Sequence, residues 1–164
     1  MYFLLATLVI INLTTISGGA VAIRTIGGDK IKGYLNKAKA QKPMRLVYGY
    51  FPNATYPDGT FVASVANWNE FGTSRIPERP FFRNANKNLS HEVKAIAKKY
   101  RFINNGLLHA VGELAVANIY KSILGFGVTY APNSPYTVSL KKSSKPLVDT
   151  GRLLNSATYK VTVL

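Results

Sequence analysis

The sequence predicts an α+β fold: a small antiparallel sheet with a long hairpin, packed against two or three helices, with extended arms. Strand-like stretches flank a turn-rich segment, and later stretches repeat apolar residues at helical spacing. With 164 residues, the chain is long enough for one domain with its own core and short for two. Apolar residues make up 47% of the chain and charged residues 17%, a composition typical of globular rather than disordered proteins.

The strands are predicted from alternating side chains. Residues 44–51 and 60–68 both alternate, and the stretch between them, 52–59, is dense in turn-forming Pro, Asn, Asp and Gly. We therefore expect these two strands to pair as a long hairpin. Residues 158–164 alternate as well, which predicts a final strand.

The helices are predicted from apolar residues at helical spacing in three stretches, 29–43, 81–100 and 107–124. Asp29 is a candidate N-cap for the first of them. Residues 131–150 are rich in Ser, Lys, Pro and Asn, so this part of the chain is predicted to be a loop or an extended arm.

The chain divides into an apolar N-terminal extension or arm, residues 1–26, and a single domain, residues 27–164. The run 2–16 is rich in β-branched residues, which favours a strand or arm that packs on a neighbouring subunit. Two alternatives stay open: the Ala-Val-Ala of residues 20–22 resembles a signal-peptidase site, and an upstream start codon would add a non-native extension. The run is too short and too polar for a membrane span, so we expect no membrane partner.

Charge is the strongest compositional signal. The chain has 21 Lys plus Arg against 7 Asp plus Glu, a net charge of +14. Such an excess favours contact with a polyanion or an acidic surface, although a solvated basic surface that keeps the chain soluble is an alternative. Aromatic residues are not interleaved regularly enough for a single-strand stacking platform. The candidates for facing DNA are Lys30, Lys32, Lys37, Lys39, Lys94, Lys98, Lys99, Lys141 and Lys142.

The residues that carry catalysis or bind metals are sparse. There is no Cys, which excludes disulfides and thiolate metal sites and fits assembly in a reducing cytoplasm. His91 and His109 lie on separate predicted helices without metal-ligand spacing, and no phosphate-binding loop, nucleophile elbow or paired-carboxylate motif is present. We therefore predict that the chain is not an enzyme.

Two blocks of sequence resemble a known family. The first, in residues 65–83, reads VANWNEFGT followed by IPERPFFR, and the second, in residues 145–159, reads KPLVDTGRLLNSATY. In this order, with two helices between them, they resemble the tail-completion or virion morphogenesis proteins of tailed bacteriophages, also called neck or head–tail joining proteins. The resemblance covers residues 27–164, and either block alone would be a weak signal.

The resemblance implies a structural virion protein without catalysis or cofactor. It implies a small α+β subunit that forms a sixfold or twelvefold homo-oligomeric ring at the head–tail neck, through which DNA passes. The ring's neighbours would be the portal or adaptor and the tail terminator or tail tube. Location in the virion, assembly in the host bacterial cytoplasm and non-specific contact with packaged DNA follow from this picture. The alternative is a basic nucleic-acid-binding protein that acts as a soluble monomer.

The motif residues have two readings, maintenance of the subunit's own fold or contact between subunits. The prolines of the first block would fix a rigid loop and place the ring of Phe81 in the core or against a neighbour. Asp149 and Thr150 are expected to cap the turn that follows them, and Gly72 and Gly151 to allow positive φ or close backbone approach. The full candidate set is Asn69, Glu70, Phe71, Gly72, Pro77, Arg79, Pro80, Phe81, Asp149, Thr150, Gly151 and Leu153.

Overall fold

The computed structural model describes residues 36, 42–100, 103–141 and 143–164. The predicted arm over 1–26 and the predicted helix over 29–43 lie almost wholly outside these residues. In chain order, the elements are β1 Met44–Gly49, α1 Val62–Phe71, α2 Phe81–Asn86, α3 Leu89–Ala97, α4 Asn105–Ile123, α5 Pro135–Lys141, α6 Arg152–Asn155 and β2 Thr158–Val163. This is the predicted α+β class, with a small antiparallel sheet and helices packed around it.

The sheet joins distant parts of the chain. β1 pairs antiparallel with β2, with Met44 opposite Val163 and Gly49 opposite Thr158. Two of the predicted strands, 44–51 and 158–164, are therefore confirmed to within two residues. Their pairing was not predicted from the sequence, because nothing local links them.

The predicted long hairpin is wrong, because residues 60–68 belong to helix α1 rather than to a strand. Val62, Ala66 and Glu70 are the buried residues of α1, and their spacing of four places them on one helical face. The alternation of side chains that suggested a strand therefore does not correspond to the structure of this segment. The turn-rich stretch 52–59 leads from the sheet into this helix.

The remaining helices agree with the sequence in part. The stretch 81–100 forms two helices, α2 and α3, that are separated at Lys87 and Asn88. α4 matches the prediction for 107–124, and it is capped by the Asn104 side chain, which accepts a hydrogen bond from the Leu107 N–H at 2.9 Å. The segment predicted as a loop or extended arm, 131–150, contains the short helix α5.

Helix α4 is the centre of the packing. It contacts α2, α3, α6 and both strands, and Ile119 and Ile123 on its inner face are essentially inaccessible to solvent. On the sheet side, Gly112 lets β2 approach closely, since a Cβ at this position would overlap ring atoms of Tyr159. The motif block 65–83 and the segment before β2 are thereby held on one framework.

Candidate functional site

The two motif blocks meet at one cleft of about 400 Å³. α1 and the loop after it form one wall, and α5 and the segment before α6 form the other. The motif residues that line the cleft are Val65, Trp68, Asn69, Arg75, Ile76, Pro77 and Arg79 from the first block and Leu147, Asp149 and Leu153 from the second. The cleft therefore brings together five of the twelve predicted candidates, Asn69, Pro77, Arg79, Asp149 and Leu153, and the other seven do not line it.

Arg79 is the residue that connects the walls of the cleft. It is only 5% exposed, yet its guanidinium donates to oxygens of neutral groups: Nε to the Ala131 carbonyl at 2.8 Å, Nη1 to Asn69 Oδ1 at 3.1 Å, and Nη2 to the Pro132 carbonyl at 3.0 Å. No carboxylate of the described residues forms an ion pair with it. Burial lowers the pKa of Arg79 from its ordinary value. The residue thus fixes the segment 131–133 on the first block.

The hydrogen bonds continue from Arg79 to the second block. Arg79 Nη2 also donates to Asn133 Oδ1 at 3.3 Å, and Asn133 Nδ2 donates to the carbonyls of Ser144 and Lys145, at 3.3 and 3.1 Å. Lys141 Nζ donates to the same Lys145 carbonyl at 3.3 Å. We name this chain of bonds the Arg79 network. It runs from the first block to the first residue of the second.

Glu70 has a separate role at the start of helix α2. Its carboxylate is 3% exposed and accepts the backbone N–H groups of Phe82, at 2.8 Å, and of Arg83, at 3.1 Å. Arg83 also donates from Nε to Glu70 Oε1 at 2.8 Å and pairs with Glu78. A carboxylate from α1 therefore satisfies the first N–H groups of α2 and complements the positive end of its dipole.

The glycine predictions are confirmed, and the capping prediction is wrong. Gly72 has φ of 72°, and a Cβ there would lie 3.0 Å from the Glu78 nitrogen, so the loop needs glycine. Gly151 has φ of 76° and occupies the N-cap position of α6 itself, with no side-chain hydrogen bond. Asp149 and Thr150, expected to cap this turn, are both exposed instead. Asp149 lines the cleft. The pKa of Tyr56 is raised first by the burial of its hydroxyl and then by the nearby negative charge of Asp149.

Burial separates the two readings of the other motif residues. Phe81 is 1% exposed and packs edge-on to Tyr50, so its ring lies in the subunit's own core rather than against a neighbour. Leu153 and Glu70 are likewise buried. Pro77 and Phe71 are exposed, and they remain available for contact with another molecule.

Sequence reasoning missed an aromatic face on α1. Phe61, Trp68 and Phe71 are 46%, 42% and 55% exposed. Trp68 and Phe71 are three residues apart on the solvent side of the helix, and Phe61 is its N-cap residue. We call these three residues the α1 aromatic face. The signal was present in the sequence, but it becomes visible only when residues 62–71 are recognised as helical.

The candidate DNA-facing residues do not form one group. Lys94, Lys98 and Lys99 are exposed on and just after α3, whereas Lys141 lies in the cleft on α5, where burial lowers its pKa. α3 and α5 do not contact each other. The other five candidates lie outside the described residues: Lys30, Lys32, Lys37, Lys39 and Lys142.

The two histidines stand apart from this cleft. His91 is exposed, and His109 Nδ1 lies 3.0 Å from the hydroxyl of Tyr159 across α4 and β2. Within residues 42–100, 103–141 and 143–164, no three His, Asp or Glu side chains are grouped as a metal site would require. None of the helices in the described part of the chain is long and apolar enough to cross a membrane.

Comparisons of this chain with protein-family models, with curated proteins and with solved structures gave no match. The resemblance of the blocks 65–83 and 145–159 to neck proteins therefore depends on the residues quoted above and on their arrangement.

Proposed function

We propose that this chain is a non-enzymatic structural subunit of the neck of a tailed bacteriophage, and that it assembles into a homo-oligomeric ring through which DNA passes. The observation that carries the proposal is the Arg79 network. The two blocks resemble the same family and lie far apart in the sequence. They are joined by hydrogen bonds that run from Arg79 to Ala131, 52 positions away, and through Asn133 to Lys145. The two blocks are thus parts of one connected arrangement, and this supports treating them as one motif.

The α1 aromatic face is the surface that suits contact between copies. Exposed aromatic side chains grouped on one surface are typical of the centres of protein interfaces, where Trp, Tyr and Phe are enriched. Trp68 also lines the cleft, so the face and the cleft form one continuous surface. Residues of the resembling blocks thus contribute both to the fold and to this candidate interface.

The test is the mass of the purified full-length protein by native mass spectrometry, together with electron microscopy. We expect a closed ring of six or twelve copies. A Trp68→Ala, Phe71→Ala double variant should give monomers with an unchanged fold, because these side chains are 42% and 55% exposed and belong to neither core cluster. Tyr136→Ala is the matched control, since this aromatic residue is 73% exposed, does not line the cleft, and lies on α5, which does not contact α1.

The same variants test the role in the virion. Phage that carry the double variant should accumulate filled heads and free tails, since the ring would join the portal or adaptor to the tail terminator or tail tube. The Tyr136→Ala phage should assemble normally. A wild-type protein that is monomeric at every concentration and absent from purified virions would contradict the proposal.

A second candidate function is favoured by the net charge of +14 and the exposed Lys94, Lys98 and Lys99. A soluble monomer that binds nucleic acid should show DNA affinity that falls steeply with salt, because bound lysines release counterions from the phosphates. Replacing these three lysines with Gln should reduce the salt dependence. Since a basic ring lumen would also bind DNA, the mass of the DNA-bound species decides between a monomer and a ring.

A further inference from the structure

Within the part of the chain that the structure describes, the outer side of β2 is an unpartnered sheet edge. Among the described elements, β2 contacts β1 on one side and α4 on one face, and no element lies along its other side. A strand edge presents a row of N–H and C=O groups that can pair with another strand.

The register identifies which groups point outward. The Leu164 N–H donates to the Pro43 carbonyl at 2.7 Å, and these two residues are opposite each other in the register. Hydrogen-bonded pairs alternate along an antiparallel ladder, so Lys160 and Thr162 also bond to β1. The peptide groups of Tyr159, Val161 and Val163 therefore face the open edge.

The burial of the side chains differs between β1 and β2. On β1, Leu46 and Tyr48, whose peptide groups face its outer side, are 4% and 2% exposed. On β2, Tyr159 and Val161 are half-buried and Val163 is 55% exposed. β2 contains neither Pro nor a bulge, two of the features that protect sheet edges. Its one charged residue, Lys160, places its ammonium group over the ring of Phe51, 4.5 Å from the ring centroid.

The chain itself contains a segment suited to this edge. The run 2–16 has no charged residue, and seven of its fifteen residues are β-branched, the type that strands prefer. Its connection to the fold enters in line with β1, since Pro43 bonds to Leu164, and it is therefore about one strand spacing, roughly 5 Å, from the end of β2. The intervening residues 17–43 can extend to roughly 90 Å at about 3.3 Å per residue, which is enough to reach an adjacent subunit.

We propose that the open edge of β2 binds residues 2–16 of a second copy of this chain as a third strand. The choice of a second copy depends on the ring proposed above, in which neighbouring copies are held side by side. Backbone hydrogen bonds would supply the affinity, and the apolar side chains of the run would cover Val161 and Val163. Each subunit would thereby be tied to the next by its own N-terminal segment.

Residue-resolved hydrogen–deuterium exchange on the full-length protein tests the pairing. We expect the amides of Tyr159, Val161 and Val163 to be protected, and to exchange roughly 100-fold faster when residues 2–16 are deleted. The amides of Lys160 and Thr162, which bond to β1, are the internal control and should stay protected in both proteins. If the deletion unfolds the protein, these two amides lose protection as well. In that case the full-length variant with Val9→Pro and Ile11→Pro replaces it, with the same expectation.

Disulfide trapping identifies the copy that supplies the strand, and the absence of native Cys makes this test clean. Single variants Thr7→Cys, Val9→Cys and Ile11→Cys are each mixed with Val163→Cys and oxidised. A covalent dimer of the two different chains supports the proposal. A chain that carries both substitutions is oxidised in parallel. Cross-links that form only within this chain, and not between the mixed single variants, overturn the proposal.

The mass of the full-length protein separates the two proposals. A ring whose outer-edge amides exchange freely, or stay protected after the deletion, overturns the strand addition and leaves the ring standing. A full-length protein that is always monomeric overturns both.

Discussion

Replacing Arg79 with Met should destabilise the protein far more than the same change at Arg75, although both arginines lie in the loop between α1 and α2. Arg79 is 5% exposed and donates four hydrogen bonds, to two carbonyl oxygens and two amide oxygens. Arg75 is exposed, and no ion pair among the described residues involves it. The two variants therefore lose the same charge in very different surroundings.

The magnitude follows from the partners that Arg79 leaves behind. A hydrogen bond to a charged group contributes about 1.5–3 kcal/mol, and an orphaned buried acceptor costs about 1–3 kcal/mol. Two effects reduce the sum: Met keeps the apolar stem in place, and the variant no longer buries a cation, which itself has a desolvation cost. We therefore expect Arg79→Met to lower the free energy of unfolding by about 3 kcal/mol, within the 5–15 kcal/mol typical of a domain. Arg75→Met should change it by about 0.5 kcal/mol or less.

Urea unfolding followed by circular dichroism measures both values on the same protein preparation. Arg79→Lys should fall between them, because an ammonium group keeps the charge but lacks the planar fork that reaches several oxygens at once. Equal unfolding free energies for Arg79→Met and Arg75→Met would refute the reasoning, since the Arg79 network would then contribute no more than a surface charge.

Three further predictions concern other parts of the fold. Gly112→Ala should lower the free energy of unfolding, measured by urea, by about 1–3 kcal/mol, because the overlap of the new Cβ with Tyr159 outweighs the gain of about 1 kcal/mol in helix propensity. Adding Tyr159→Ala to this variant should remove the penalty. Glu70→Gln should cost about 2 kcal/mol, because an amide has one acceptor oxygen where the carboxylate has two, and a thermal melt that matches wild type would contradict this. Burial raises the pKa of Tyr48 from 10.0 to about 12, so the unfolded chain loses this proton at lower pH than the folded one. Stability should then be full below pH 10 and fall as the pH rises towards 12, and melting temperatures of Tyr48→Phe should fall less over this range.

The sequence predicted the parts of the fold that depend on local patterns. Helix α4 has a long apolar stripe and a side-chain cap at Asn104, and both strands alternate, so each was recognisable on its own. Helix α1 was not, because residues 60–68 satisfy the period of a strand and the buried face of α1 includes an acid, Glu70. A buried carboxylate interrupts the apolar pattern by which a helix is recognised in a sequence. Its partners, the N–H groups of α2, are known only from the structure.

The candidate site was predicted as two blocks but not as a cleft. Pattern reasoning left open whether Arg79 and Phe81 maintain the subunit's own fold or contact a neighbour, because a sequence does not show that both side chains are buried. The contact of Arg79 with Ala131 crosses 52 positions and involves a backbone carbonyl, which no side-chain motif encodes. The same holds for the α1 aromatic face, whose geometry depends on the type of secondary structure.

The capping of α2 by Glu70 has a consequence for how this region folds. α2 has six residues, too few to be stable alone, and the acceptor for its first N–H groups lies on α1. The two helices must therefore form and open together as one cooperative unit, with the loop between them closing in the same step. An exchange-competent opening of α2 would remove the N–H partners of the Glu70 carboxylate, and so leave an unsatisfied buried charge on the helix that carries Trp68 into the cleft.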